Sequence, residues 1–254
     1  MTFQEIRYAV DGPVATVWLD RPEVHNAQTF ATWSSLARVP GLLPPDVRVV
    51  LLRATGPDFS AGLDLRQLRP GGTEEGSVEA LLPGSDAEVA GAIAGFQEAF
   101  TPWRALPAVV VAVVQGRALG AGAQLALAAD LRVLAADAQL VVAESRLGLV
   151  PDLGGTAVLV ELVGYARALE LCLLARPVGA AEALAWGLVT AVAGEEGLDA
   201  AVDDLVAALL ALPAPVLAVT KQLVAGAVGR TADEQRHAER TAQVPLLRAA
   251  ARPG

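Results

Sequence analysis

Cysteine and histidine are scarce in this chain of 254 residues. Cys172 is the one cysteine, which excludes an intrachain disulfide and a thiolate metal cluster. The two histidines, His25 and His237, are too few for a histidine-rich metal site, and we expect no bound metal. Basic residues are also outnumbered, because 19 basic and 28 acidic residues give a formal charge of -9. Without a basic stripe we expect no nucleic-acid partner, and an anionic ligand would have to be held locally.

Long apolar runs are absent, although 54% of the residues are hydrophobic. A membrane-spanning helix needs roughly 18 or more uncharged apolar residues, whereas Arg, Asp and Gln interrupt every run here. The nearest example, residues 105–114, is short enough to be a buried strand. The first twelve residues contain acidic and basic side chains and no apolar signal core. We therefore expect a cytoplasmic protein with no membrane partner.

Strand and helix patterns alternate over most of the chain. Apolar runs rich in β-branched residues predict strands at 14–19, 47–53, 108–114, 131–134, 139–142 and 188–192. Helical patterns cover 28–38, 87–106, 121–129, 155–163, 166–174, 180–186, 197–212, 214–228 and 231–248. This order predicts an α/β core at 1–194 with a helical C-terminal appendage at 195–254. Residues 70–86, rich in Gly, Pro and acidic side chains, predict a mobile loop that could serve as a lid.

Three segments carry residues suited to chemistry. The first, GRALGAGAQ at 116–124, follows a predicted strand and opens an apolar helix. Its glycines allow close approach to the backbone, and free amides at a helix start can hold negative charge. A tight strand–helix turn packed against a neighbour is the alternative. A dinucleotide-binding loop is excluded, because Leu125 stands where the pattern needs glycine.

The other two segments place carboxylates after predicted strands. In DFSAGLDL, residues 58–65, Asp64 is expected to cap a helix rather than to catalyse. In ESRLGLVPDLGGT, residues 144–156, Glu144 follows an apolar strand, so it is either paired with Arg146 or Arg167 or has a raised pKa. Asp152 precedes a helix predicted from about Gly154, and a plain N-cap is the role expected from its position alone. If both Glu144 and Asp152 face one pocket, they form a proton-transfer pair.

In this order and spacing, the three segments resemble the crotonase (enoyl-CoA hydratase/isomerase) family. Residues 20–29, DRPEVHNAQT, are similar to the family's RPxxxNA segment that lines the CoA adenine pocket, and residues 167–192 are also similar to a family stretch. The resemblance covers roughly residues 3–225. It implies an α/β fold, a crotonase-like spiral of ββα turns with a helical C-terminal trimerisation region. Such chains assemble as homotrimers or as dimers of trimers.

The resemblance also implies a site. The backbone amides of Leu63 and Ala121 would hold the enolate oxygen formed from a CoA thioester, and one such donor is typically worth about 3–4 kcal/mol. Residues carried over as CoA contacts are Val24, His25, Ala27, Ala61, Gly62, Asp64, Leu65, Gly120 and Lys221. For Lys221 a solvated surface position is the alternative. The acyl-CoA is the substrate, so CoA enters with it and no permanently bound cofactor is expected.

This chain departs from the hydratase pattern. Hydratases of the family use two glutamates, of which Glu144 matches the second, while Gln124 replaces the first. Glutamine can orient water but exchanges no proton near neutral pH, so efficient hydration is not expected. Asp152 stands where hydratases commonly have glycine and where family isomerases often carry an acid; a dehalogenase relative uses it as a nucleophile. The last residues, ARPG, do not match the Phe and Lys-Arg pair of many relatives, so the resemblance implies no neighbour-subunit contact to CoA from this segment.

These features favour an enoyl-CoA isomerase of fatty acid metabolism, with Glu144 as the principal acid–base residue, Asp152 as its helper and Gln124 as a non-ionisable positioning residue. A non-catalytic acyl-CoA-binding protein of the same fold is one alternative, and a hydratase that works despite Gln124 is another. A covalent route through Asp152 is a third. A structural or scaffold protein is disfavoured by the paired oxyanion segments. The acyl group itself cannot be read from the sequence.

Overall fold

The computed structural model describes residues 2–3, 5–73, 76–194 and 197–251. In these residues the strands are β1 (Thr2–Phe3), β2 (Ile6–Asp11), β3 (Val14–Leu19), β4 (Val49–Ala54), β5 (Val109–Val114), β6 (Arg117–Leu119), β7 (Leu131–Leu134), β8 (Gln139–Val141), β9 (Val178–Gly179) and β10 (Ala191–Val192). A seven-stranded sheet runs in the order β1-β2-β3-β4-β5-β7-β10, and a three-stranded sheet in the order β6-β8-β9. This mixed α/β architecture, with helices on a largely parallel sheet, confirms the predicted fold class.

The centre of the large sheet is parallel from β3 to β10, whereas β1 and β2 are antiparallel additions at one edge. All six residues of β5, VVVAVV, are buried because both of its faces are covered. Alternate side chains therefore enter two different clusters: Val110 faces a large core that includes Trp103, and Val111 faces a smaller one. The smaller cluster contains Val202 and Leu217 from the C-terminal helices.

The α-helices of the described part of the chain are α1 (Phe30–Arg38), α2 (Asp86–Gln97), α3 (Ala121–Ala128), α4 (Gly155–Leu174), α5 (Ala180–Ala185), α6 (Leu198–Leu210), α7 (Ala214–Ala227) and α8 (Ala232–Ala250). Helix α4 joins two predicted helices across a break at Gly164, whose φ is 76°. The helix predicted over 87–106 ends at Gln97, and a separate 3-10 turn, Thr101–Ala105, follows with Pro102 near its start.

The C-terminal helices are more closely integrated than an appendage would be. Helices α6 and α7 cover one face of the large sheet, and each buries a side chain there, Val202 and Leu217. Only α8 among the three has no buried residue in the described part of the chain. The boundary predicted between 194 and 195 adjoins residues 195–196, which lie outside the described residues, as do residues 74–75 of the predicted lid loop.

No single helix in the described residues is both long and apolar enough to cross a membrane. One bent pair, α6 with α7 at 103°, meets the criteria of length and composition when its two helices are taken together.

Candidate active site

The start of α3 lies where the small sheet meets residues 60–63. Strand β6 ends at Leu119, Gly120 adopts φ 48° and ψ -118°, and α3 begins at Ala121. Helix α3 crosses the chain so closely that a Cβ on Gly122 would lie 2.7 Å from the Cβ of Ser60. Only glycine allows this approach, which both interpretations of the glycine-rich segment require.

Two backbone amides without acceptors meet at this crossing. The segments run side by side, because Leu119 N donates to Ser60 O at 2.9 Å. Gly62 has φ +85°, and a Cβ on it would lie 2.5 Å from Leu119 O and 3.4 Å from Ala121 N. Within the described residues, the N–H groups of Leu63 and Ala121 have no hydrogen-bond acceptor. The geometry thus offers two free donors in one place, as an oxyanion site requires.

The Leu63 amide is positioned by pairing with the segment before α1. Gln28 N donates to Gly62 O at 2.7 Å, and Asp64 N donates to Gln28 O at 2.8 Å. These bonds flank Leu63 on both sides and leave its own N–H pointing elsewhere. The side chain of Gln28 is fully buried and donates to Ser60 Oγ at 3.0 Å, so it braces the same crossing.

Gln124 and Glu144 form a buried pair beside Gly120. Gln124 Nε2 donates to Glu144 Oε1 at 2.7 Å, while its Oε1 accepts from Leu153 N at 3.0 Å and from Gly155 N at 3.2 Å. Because two backbone amides occupy the carbonyl oxygen of Gln124, its amino group must face the carboxylate. A Cβ on Gly120 would lie 3.4 Å from Glu144 Oε1, so the missing side chain leaves the carboxylate next to the helix start.

The second oxygen of Glu144 is unused. Glu144 is 9% exposed, and its Oε2 is buried without a hydrogen-bond partner among the described residues. Neither Arg146 nor Arg167 pairs with it: Arg146 donates to Ala175 O, and Arg167 lies over the ring of Trp186. Burial raises the pKa of Glu144, and the charge of Asp152 adds to the effect. The raised pKa, not the salt bridge, is therefore the alternative that the structure supports.

Asp152 is not a helix cap, contrary to the expectation from base rates. Gly154 occupies the N-cap of α4 with φ 91° and makes no side-chain hydrogen bond. Asp152 lies outside the helix and is exposed, yet the protein packed around its carboxyl raises its pKa by desolvation. The charge of Asp152 contributes to the raised pKa of Glu144, so the two carboxylates lie within electrostatic reach of each other.

The predicted adenine-pocket segment packs against residues 55–61. A 3-10 turn, Pro22–Val24, is followed by His25 and Asn26, both with φ 53°. Asn26 Nδ2 donates to Thr55 O at 2.7 Å and to Asp58 O at 2.8 Å, and Ala61 N donates to His25 O at 2.8 Å. Residues 20–29 and 55–61 therefore pack as one unit, in which Val24 and Ala27 are half-buried.

His25 and two carboxylates at this edge are paired. His25 Nδ1 lies 2.7 Å from Asp58 Oδ2, and Arg117 binds both oxygens of Asp58, which lowers the pKa of that carboxyl to about 2. Asp64 caps the 3-10 turn Leu65–Leu68 through a bond from Arg66 N, which confirms the capping role. Leu65 itself is half exposed and free to contact a ligand.

Lys221 lies inside the fold. Its ammonium is 2.6 Å from Asp130 Oδ2 and donates to Trp103 O at 3.1 Å and to Ala108 O at 2.7 Å. The side chain is 6% exposed. The solvated surface position is therefore wrong, and in this structure the ammonium of Lys221 is bonded inside the fold.

Sequence reasoning missed several residues that hold the site in place. Buried Gln28 and Ser60 brace the crossing, Arg117 orders Asp58, and Gln97 Nε2 donates to Asp152 O at 2.6 Å. Each acts across at least 32 positions of sequence, so no local pattern marks it. Among the described residues, no group of three or more His, Cys, Asp and Glu side chains could hold a metal ion.

Comparisons of the sequence and of the structure with known proteins agree with each other. A family model for "Enoyl-CoA hydratase/isomerase" matches residues 10–251. The 1,2-epoxyphenylacetyl-CoA isomerase of Escherichia coli K12 is 34% identical over 237 residues, 92% of this chain and 87% of the relative. A Rhodobacter capsulatus protein named "Probable enoyl-CoA hydratase" is 36% identical over 189 residues, 74% of this chain and 68% of the relative. A Thermobifida fusca YX protein assigned as an enoyl-CoA hydratase, solved with acetoacetyl-CoA, gives a TM-score of 0.92 at 45% identity, covering 96% of this chain and 95% of that one.

Proposed function

We propose, because the chain belongs to the enoyl-CoA hydratase/isomerase family, that it is an isomerase which moves a double bond along the acyl group of a CoA thioester. The thioester carbonyl binds between the amides of Leu63 and Ala121. CoA lies along residues 20–29 and 61–65. The Thermobifida fusca relative was solved with acetoacetyl-CoA, which supports a CoA thioester as the ligand. The adenine end lies by Val24, His25 and Ala27.

Glu144 starts the reaction by removing a proton from the carbon next to the thioester carbonyl. The electron pair left behind forms an enolate, whose oxygen is stabilised by the two amides. The proton is then returned two carbons further along, and the double bond shifts toward the carbonyl. The raised pKa of Glu144 suits both proton transfers of the reaction. A carboxylate that holds a proton more tightly is a better base, and it can also return the proton near neutral pH.

The unpartnered Oε2 of Glu144 is the observation that carries this proposal. A buried carboxylate oxygen normally has a donor, since leaving one without costs free energy. Here Gln124 engages Oε1 alone, so Oε2 remains for the substrate proton. Gln124 cannot supply the second proton-transferring group that hydration uses, which favours isomerisation over water addition. Asp152 is the helper that relays or returns a proton.

Variants at the two carboxylates test the proposal. Glu144→Gln should lower the turnover of a 3-enoyl-CoA by 10²–10⁴-fold, as expected for a lost general base, while binding of acetoacetyl-CoA by calorimetry stays within a few-fold. Loss of α-proton exchange with solvent deuterium should accompany it. Wild-type turnover in Glu144→Gln together with an inactive Asp152→Asn would assign the reaction to Asp152, including a covalent route. Binding without any exchange in the wild type would indicate a non-catalytic acyl-CoA-binding protein.

A further inference from the structure

Helix α2 lies against the segment that carries Asp152. None of its twelve residues is fully buried, and it begins with a capping box between Ser85 and Glu88. Its C-terminal end is anchored by Phe96, which stacks on Phe30 with ring centroids 4.4 Å apart. A helix attached by so few buried contacts opens at lower free energy than the core does. Because Glu144 Oε2 is buried, part of the protein around it has to move before an acyl group can reach it.

The residue after Phe96 contacts the backbone of Asp152. Gln97 Nε2 donates to Asp152 O at 2.6 Å. Thr101, whose Oγ1 donates to Gln97 O at 3.1 Å, extends the same contact, because its Cγ2 lies 3.5 Å from where a Cβ on Gly154 would be. The end of α2 and the 3-10 turn after it therefore hold one side of residues 152–154.

The other side of this loop is held by Gln124. Its carbonyl oxygen accepts from the amides of Leu153 and Gly155. Asp152 thus has its carbonyl bonded to the end of α2 and the following amide bonded to Gln124 of α3. The N-cap of α4 is Gly154, so these two restraints on Asp152 do not serve to cap the helix.

We propose that Gln97 is a positioning residue that couples α2 to the Asp152 carboxylate. When α2 moves to admit an acyl group, the hydrogen bond to Asp152 O carries the loop with it and sets the distance from that carboxylate to Glu144. Closure over a correctly sized acyl group brings the two carboxylates into working geometry. Misplacement by about 1 Å can cost 10²-fold in rate, so one hydrogen bond can set turnover. This inference rests on the proposed function, since it gives Asp152 the helper's role.

Gln97→Met tests the coupling, because methionine keeps the length of the side chain and removes the donor. We expect kcat for double-bond shift to fall about tenfold with KM within twofold, as a lost positioning effect acts on the chemical step. In an Asp152→Asn background the same substitution should change kcat less than twofold, since the two residues act as one unit. Gln97→Lys, which retains a donor, should keep kcat within threefold of the wild type. Glu98→Gln, at the exposed end of the same helix, is the matched control and should leave kcat unchanged.

A second readout does not depend on turnover. The Asp152 carboxyl is titrated by carbon-13 NMR and assigned with Asp152→Asn; its pKa should fall toward the ordinary value in Gln97→Met, as the released loop becomes hydrated. Equal kcat losses with and without Asp152, an inactive Gln97→Lys, or identical titration curves in the wild type and Gln97→Met would each overturn the coupling. A wild type that shifts no double bond would count against the proposed function alone, and the titration would still decide the role of Gln97.

Discussion

Gln124 is fixed at both ends of its amide, and this determines what a glutamate could do in its place. A carboxylate at 124 would keep one oxygen on the amides of Leu153 and Gly155. Its other oxygen would face Glu144 Oε1, where the present contact is 2.7 Å. Two carboxylates at that distance hold a proton between them, because both cannot be ionised cheaply. The substitution therefore builds a coupled acid–base pair without any change of backbone.

Gln124→Glu should raise the rate of water addition to crotonyl-CoA at least tenfold, since it supplies the second group that exchanges protons. The rate of double-bond shift should fall, because the shared proton occupies Glu144. The hydration rate can be measured from the loss of enoyl absorbance at a series of pH values. In the variant, the plot of this rate against pH should rise on one side and fall on the other, as two groups titrate. Gln124→Met is the control that removes the hydrogen bonds but adds no acid. A variant that hydrates no faster than the wild type would mean that Gln124 does not decide between the two reactions.

The individual site residues were predictable to different degrees. Glu144 after an apolar strand and the glycines around Ala121 stand out locally, and their surroundings agree with the prediction. The cap assignment of Asp152 was wrong because Gly154, in the left-handed conformation, supplies the start of α4 instead. Gln97 gave no signal, because its role depends on a contact with a residue 55 positions away.

At the scale of elements, the Lys221–Asp130 pair joins α7 to the large sheet. Asp130 Oδ2 also accepts from Val110 N at 2.7 Å, so the carboxylate links the helix to β5. Burial lowers the pKa of Lys221 and raises that of Asp130, which means that both charges are held against a loss of hydration. Both pKa shifts show that burying this ion pair costs free energy. That cost rises further when one of the two charges is removed and the other stays buried without a partner.

Lys221→Met should therefore destabilise the fold by about 3–5 kcal/mol, the range for a buried pair that loses one partner. The free energy of unfolding from urea denaturation measures the change. Adding Asp130→Asn in the same chain should recover much of the loss, because no uncompensated charge remains. If the single variant is as stable as the wild type, α7 is not anchored by this pair.

Strands of the large sheet were among the most predictable elements. The predicted ranges of β3 and β7 match the structure end to end, and fully buried β5 begins one residue later than predicted, because runs rich in Val and Leu favour strands. Strand β2, IRYAVD, was missed, since its mixed polar pattern becomes a strand only by pairing with β3. The packing of α6 and α7 on the sheet also escaped prediction, because an apolar helix face does not reveal what it covers.

At the scale of the whole molecule, the C-terminal helices still expose apolar side chains. Val224 and Val228 are 68% and 70% exposed on and beside α7, and Leu247 of α8 is 58% exposed. Since α6 and α7 already cover the sheet with their other side, these residues form a separate outward surface. An apolar surface of this kind is typical of a face that another subunit covers.

We expect this surface to assemble the chain into a trimer or a dimer of trimers. Light scattering after gel filtration, at micromolar concentration and ordinary salt, should give three or six times the mass of the chain. Val224→Asp combined with Val228→Asp should lower that mass, because it places charge in the interface. Leu82→Asp, at a similarly exposed apolar position outside the helical tail, should leave it unchanged. A monomeric wild type would refute the assembly.

Lys221 is the only lysine in the chain, and the fold encloses it. Its burial therefore leaves the native surface without a lysine amine for acetylating reagents, amine-reactive dyes or lysine cross-linkers, so that these mark only the terminal amine. Each molecule that opens at α7 exposes one further reactive site. Amine labelling thus becomes a count of opened molecules, and coupling through amines to a solid support would hold the native protein in one orientation.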